Sequence, residues 1–270
     1  MTQRPPRPVR VLASALAAGA LLTTAACSDG DDSGSGSADT TRISSSPLAQ
    51  ESPVALTAAG ARAALVTEAD LEGDWDQVKD ASTWHDSLLV GKVDVADFLT
   101  AKADAADCQK LLDALYGDDL LGKPSGASAL TGFEEGDSRL LYQVAAYDRA
   151  ALDDSLNWLE GLPVECDQFT ATDSSGGKRT VQVTESSLPK EGDARQGLRV
   201  TVQGTSGGAP TTLTLDVAAV RLGTDAITIT NGGLGGADSD STKTAAELGT
   251  ARLKVVQSGG TPSADPAEIE

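Results

Sequence analysis

The chain has 270 residues, with 21 Lys and Arg against 40 Asp and Glu and a formal charge of −19. A surface this acidic repels a phosphate backbone, and aromatics at 3% leave few stacking platforms, so composition argues against nucleic-acid binding. One His, three Cys and a single Met leave no material for a His-rich metal cluster, a Cys₄ zinc site or a thiol relay, so neither metal nor cofactor is expected.

Residues 1–26 read as a signal peptide. Arg4, Arg7 and Arg10 form a basic leader, no acid appears before Asp29, and residues 11–22 are apolar and small. Twelve residues are too few to cross ~30 Å of hydrocarbon as a helix but suit a signal-peptide core. Thr24-Ala25-Ala26 and then Cys27 follow. The six residues LTTAAC resemble the lipobox of bacterial lipoproteins, whose cysteine is acylated and becomes the new N-terminus. Thr24 stands where Leu or Val is usual. The resemblance implies a lipidated Cys27, carrying palmitate-type chains, and a protein anchored at the extracytoplasmic face of the cell membrane. Without the leader, 18 basic residues face 40 acidic ones, a balance of −22. Anionic headgroups repel such a body, so the lipid must supply the attachment.

Residues 27–53 form an acidic Gly/Ser tether with almost no bulky apolar side chain. Such a segment buries too little surface to offset its ordering entropy and is expected to be disordered, with a reach of about 28 Å. Residues 54–257 are patterned. An alanine-rich helix is expected over 54–71, with Leu56, Ala59, Ala63 and Val66 on one face. Asp104 is placed to cap a second helix whose face is Cys108, Leu111, Leu112 and Leu115, and Gly117 is placed to stop it. A third helix begins after Asp148, turns Leu152, Leu156 and Leu159 inward, and is expected to end at Gly161-Leu162-Pro163.

The period then falls to two. Segments 139–147, 180–184, 198–203, 211–221 and 226–230 are rich in Val, Leu, Ile and Thr and read as strands. Gly-rich turns at 174–177, 204–208 and 231–236 separate them, and 211–230 reads as one hairpin about Gly223-Thr224-Asp225. A last helix over 242–256 directs Ala246, Leu253 and Val256 toward the sheet, and 258–270 reads as a disordered tail. The sum is an α+β single domain, an antiparallel β-sheet with helices packed mainly on one face. With Cys27 lipidated, Cys108 and Cys166 are an even pair outside the cytosol, where a disulfide is expected. Closing a loop of this length stabilises by about 4 kcal/mol on the chain-entropy estimate.

Motifs with chemical precedent fail on context. Residues 117–123 match the first seven positions of a P-loop, but Pro124 occupies the magnesium-binding position and a helix precedes the glycine. Residues 204–208 fit G-x-S-x-G, yet a strand follows and the one histidine, His85, lies far upstream. His85 sits between Trp84 and Asp86 with no nominated nucleophile. Asp238-Ser239-Asp240 hints at calcium but lacks the full ligand spacing, and the adjacent acids Asp118-Asp119 and Glu134-Glu135 suit a solvated face.

The order of leader, tether, Asp70-Leu71-Glu72-Gly73-Asp74-Trp75, cysteine helix, strand-rich half and closing helix resembles the sensor-type extracellular domains of actinobacterial lipoproteins, related to the PknH-type kinase extracellular domain. That family usually carries two disulfides, whereas one cysteine pair is available here. The resemblance implies a non-enzymatic domain that binds something at the cell surface, and it transfers no site residue. The functional expectation is a membrane-anchored lipoprotein with a ligand-binding or sensor-like domain in the cell-wall space. Its ligand, a cell-wall component or a protein partner, would sit in a cleft between helices and sheet. A lipid or glycolipid carrier is the alternative and requires a large apolar cavity. A hydrolase requires His85 or paired carboxylates converging in a cleft.

Overall fold

Period-two alternation organises the centre of the molecule. The structure is a computed structural model, and it describes residues 55–71, 73–82, 89–90, 93–94, 102–174, 176–206 and 208–268. The signal peptide 1–26, Cys27, all of the tether and His85 lie outside the described residues. Five long strands fall where alternation places them: β6 (Ser138–Ala146), β8 (Lys178–Glu185), β9 (Ala194–Ser206), β10 (Ala209–Leu222) and β11 (Asp225–Gly233). Two further strands carry weak sequence signals. β5 (Ser128–Glu135) mixes small and acidic residues around Gly132, and β7 (Gln168–Thr172) has five residues. With the two-residue strands β1 (Asp76–Gln77) and β4 (Lys102–Ala103) they form one antiparallel sheet, ordered β1-β5-β6-β11-β10-β9-β8-β7-β4. β2 (Leu89–Val90) and β3 (Val93–Asp94) pair separately. The hairpin at Gly223-Thr224 closes with Leu222 opposite Asp225, and Gly223 takes the positive φ (66°) that the tight turn needs.

The four described helices divide between the two faces. Along β10, Leu213, Leu215, Val217 and Ala219 face one layer, while Ala218 and Val220 face the other. The first layer holds α2 (Ala106–Gly117) and α3 (Arg149–Glu165), with α3 against β8 and β9. The second holds α1 (Ala58–Ala63) and α4 (Ser239–Gln257), which cover β10, β11, β6 and β5. Over either half of the sheet the helices keep to one face, and that face switches at β10, which is why residues 215–220 are buried on both sides. The α+β antiparallel domain expected from the sequence is therefore present, with its helix layer split in two.

Local chemistry explains where the helices depart from expectation. α1 has six residues instead of spanning 54–71, because Thr67 takes extended backbone and exchanges capping bonds with Asp70. Within it Ala61 is buried, not Ala59 or Ala63, while Ala64 and Val66 are buried just beyond its end. α2 buries Cys108, Leu111, Leu112 and Leu115 as its period requires. Its N-cap position is Ala105 rather than Asp104, and the left-handed residue closing it is Asp118 (φ 54°), one past Gly117. α3 starts at Asp148, whose carboxylate accepts from the N–H groups of Ala150 and Ala151. It runs through Pro163 to Glu165, since the fully buried Leu162 holds the last turn and Cys166 N donates to its carbonyl at 2.8 Å. Cys166 and Cys108 form a disulfide with Cα atoms 5.6 Å apart, tying α3 to α2. Residues 258–268, expected as a disordered tail, instead have placed structure. Ser263 O accepts from Arg252 Nη1 at 3.1 Å, and Pro266–Glu268 forms a 3-10 turn.

Candidate binding cleft

The cleft forms where β8 ends and the chain returns into β9. α3 rests on β8 and β9 through Leu156 and Leu159, which share a core with Val183, Leu198 and Val200. Beyond Glu185 the 186–193 connection leaves the sheet, and Ser186 N donates to Gly197 O at 2.9 Å. A Cβ on Gly197 would overlap the Ser186 carbonyl, so glycine lets this connection lie close against β9. Between the connection and α3 is a cleft of about 430 Å³. Buried Leu156 and half-buried Leu188 supply its apolar part. Asn157 and Glu160 enter from α3, Glu185 from the end of β8, and Arg195 and Gln196 from β9. Arg195, Glu160 and Glu185 are exposed, and none forms an ion pair among the described residues. One cation and two carboxylates thus border the cleft, and a ligand bearing both signs can engage them.

Four arginines elsewhere in the body are occupied. Arg252 Nη1 meets Asp70 Oδ2 at 3.1 Å, joining α4 to the segment after α1. Arg179 pairs with Asp173 at 3.1 Å and donates to Thr205 O at 2.6 Å, closing the end of the β8–β9 layer. Arg221 pairs with Asp153 of α3. Arg199 grips Asp216 with Nε and Nη2 at 2.7 and 2.8 Å and donates to Ser239 Oγ at 2.6 Å.

The motif segments among the described residues have structural duties. Residues 204–206 and 208 belong to the β9–β10 hairpin, with Ser206 opposite Ala209. Residues 117–123 end α2 and bury Leu120 and Leu121. Asp238 is the N-cap of α4, accepting from Asp240 N and the Ser241 hydroxyl. The Ser241 bond is the largest cause of the downward shift of its carboxyl pKa. Glu134 pairs with Arg139, and Glu135 accepts from Asp74 N. Among the described residues no group of three or more His, Cys, Asp or Glu is placed to hold a metal ion. Sequence reasoning missed Glu160, Glu185 and Arg195 because they come from three elements and share no motif spacing.

No family model and no curated protein matches the chain. Solved mycobacterial structures resemble it. The extracellular domain of PknH from Mycobacterium tuberculosis aligns at 11% identity and TM-score 0.40, covering 75% of this chain and 98% of that one. A putative uncharacterized protein (Rv0999 ortholog) from Mycobacterium smegmatis aligns at 15% identity and TM-score 0.39, covering 75% and 97%.

Proposed function

We propose that the chain is a membrane-tethered extracytoplasmic lipoprotein whose α+β body is a non-catalytic, sensor-like binding module for a small zwitterionic molecule. The observation that carries this reading is the α3–β9 cleft of about 430 Å³, bordered by Glu160, Glu185 and Arg195, none of which forms an ion pair among the described residues. The guanidinium suits a carboxylate and the two glutamates suit an ammonium group, as in a free amino acid or a short peptide. The reading is non-catalytic because the segments with catalytic precedent serve as a hairpin, a helix exit and a helix cap. Binding is favoured over lipid carriage because the large apolar side chains of both layers, Leu111, Leu112, Leu152 and Leu159 in one and Phe133, Leu140 and Tyr142 in the other, are nearly or fully buried in the cores beside the sheet.

Among the described residues no helix is long and apolar enough to cross a membrane, and in this reading attachment comes from acylated Cys27. Metabolic labelling with a palmitate analogue tests the anchor: label should reach the chain and be lost in Cys27→Ser. Titration of the full chain with alanyl-alanine, followed by amide NMR, tests the cleft. Saturable shifts at Gln196 and Asn157 that vanish in Arg195→Gln are expected. No saturable shift with this or any other zwitterionic dipeptide would remove the reading.

A further inference from the structure

We infer that the cleft takes its ligand as an added strand: an extended peptide segment that pairs, backbone to backbone, with an open stretch of β9 at residues 194–197. The inference rests on the cleft reading and deepens it by naming how the ligand is held. β9 pairs with β10 along its whole length, from Ala194 opposite Arg221 to Ser206 opposite Ala209. On its other side β9 pairs with β8 only from Leu198, opposite Glu185, onward. One further bond, from Ser186 N to Gly197 O at 2.9 Å, extends the ladder by a step, and there the line of β8 stops. Leu188 is drawn off against the core of the α1–α4 layer and Pro189 follows it, so the chain does not supply the missing strand itself.

In an antiparallel ladder, successive residues address their N–H and C=O groups to opposite neighbours. Gly197 O faces Ser186, so Arg195, two residues earlier, also turns its backbone groups away from β10 and toward the cleft. Neither the N–H of buried Gly197 nor the N–H and C=O of Arg195 has a hydrogen-bond partner among the described residues. Backbone groups left open beside a cavity are a template for another strand. The open stretch is roughly 10 Å long, the span of about three extended residues. A ligand residue opposite Arg195 exchanges two backbone bonds with it, as paired residues of β8 and β9 do further along. Alternation then sorts the ligand's side chains. The residue opposite Arg195 lies on the same face as the guanidinium, which suits an acidic side chain. Its two neighbours turn to the α3 face, where Leu156, Glu160 and Glu185 stand, because Glu185 shares the face of Val181 and Val183. Those carboxylates suit basic side chains. The favoured ligand is therefore an extended peptide with an acidic residue flanked by basic ones.

The test uses the full chain and the peptide acetyl-Lys-Asp-Lys-amide, whose blocked ends leave only side-chain charges and backbone to be recognised. Amide NMR should show saturable binding, with the Arg195 N–H signal moved downfield and its hydrogen exchange slowed about tenfold or more at saturation. Methylating the backbone nitrogen of the central aspartate removes the donor that Arg195 O accepts, and should weaken binding about tenfold. Equal affinity for the parent and N-methylated peptides, or binding that leaves Arg195 N–H unprotected, would overturn the added strand and leave the cleft reading standing. So would saturable binding of alanyl-alanine with none of the blocked peptide, whereas failure of both ligands would remove both readings. Protection of Arg195 N–H that rises with protein concentration in the absence of peptide would also overturn the proposal, in favour of strand pairing between two copies of the chain.

Discussion

The buried pair Arg252–Asp70 offers a sharp perturbation of the fold. Asp70 is 2% exposed and Arg252 5%, and Asp70 also accepts from Thr67 N at 2.7 Å and Thr67 Oγ1 at 2.9 Å. Replacing Asp70 with Asn nearly preserves shape but leaves the guanidinium inside without a counter-charge, bonded only to neutral oxygens such as the Ser263 carbonyl. Breaking a buried pair from one side costs about 3–5 kcal/mol, because an uncompensated charge stays in a medium of low polarity. With a urea m-value of about 2 kcal/mol/M, the unfolding midpoint should fall by about 1.5–2.5 M. Asp70→Leu/Arg252→Met removes both charges and should lose only about 1–2 kcal/mol, chiefly the capping bonds at Thr67. Urea titration read by tryptophan fluorescence suits the assay, since Trp75 is buried in the same layer. A midpoint shift under about 0.5 M for Asp70→Asn, or a double variant as unstable as the single, would refute the reasoning.

Three further perturbations address other parts of the body. Gly249→Ala places a Cβ against the ring and hydroxyl of fully buried Tyr142, so overpacking should lower stability by about 1–3 kcal/mol in thermal melts, where Gly→Ala in an open helix would raise it. Cys108→Ser/Cys166→Ser removes the bridge between α2 and α3 and should cost about 4 kcal/mol, and an unchanged melting temperature under reducing conditions would contradict that role. Asp238 has a folded-state carboxyl pKa below its ordinary value, so its stabilisation is present above the unfolded pKa near 3.8 and is lost as pH falls through the lowered folded value. Asp238→Asn should keep most of the cap at pH 7 and flatten that acid limb of the stability curve, whereas Asp238→Ala should cost about 1 kcal/mol already at pH 7.

The sequence made the sheet legible wherever one face was apolar and the other polar. β8 alternates buried and exposed residues along nearly its whole length, and the β10–β11 hairpin carries its turn in Gly223-Thr224. α2 and α3 were legible for the same reason, since Leu at helical spacing writes the buried face directly. β5 was not, because half of it faces neighbours that the chain supplies elsewhere, and Thr131 is buried by tertiary contacts that no local pattern records. The split of the helices across two faces was hidden as well. It depends on β10 being apolar on both sides over 215–220, and a continuous apolar run does not say which helix covers which side. The tail was misread because composition registers its polarity, while its contact with the body comes from an arginine on α4. The cleft was anticipated only as a place between helices and sheet. Its residues converge through the geometry of one connection.

Native mass spectrometry of the full-length protein, released from its own membrane in non-denaturing detergent, tests the binding reading most directly. The account predicts an acylated chain carrying a small polar adduct, present in the wild type and lost in Arg195→Gln. A stoichiometric, non-covalently bound lipid that persists in Arg195→Gln would contradict it and make the protein a carrier.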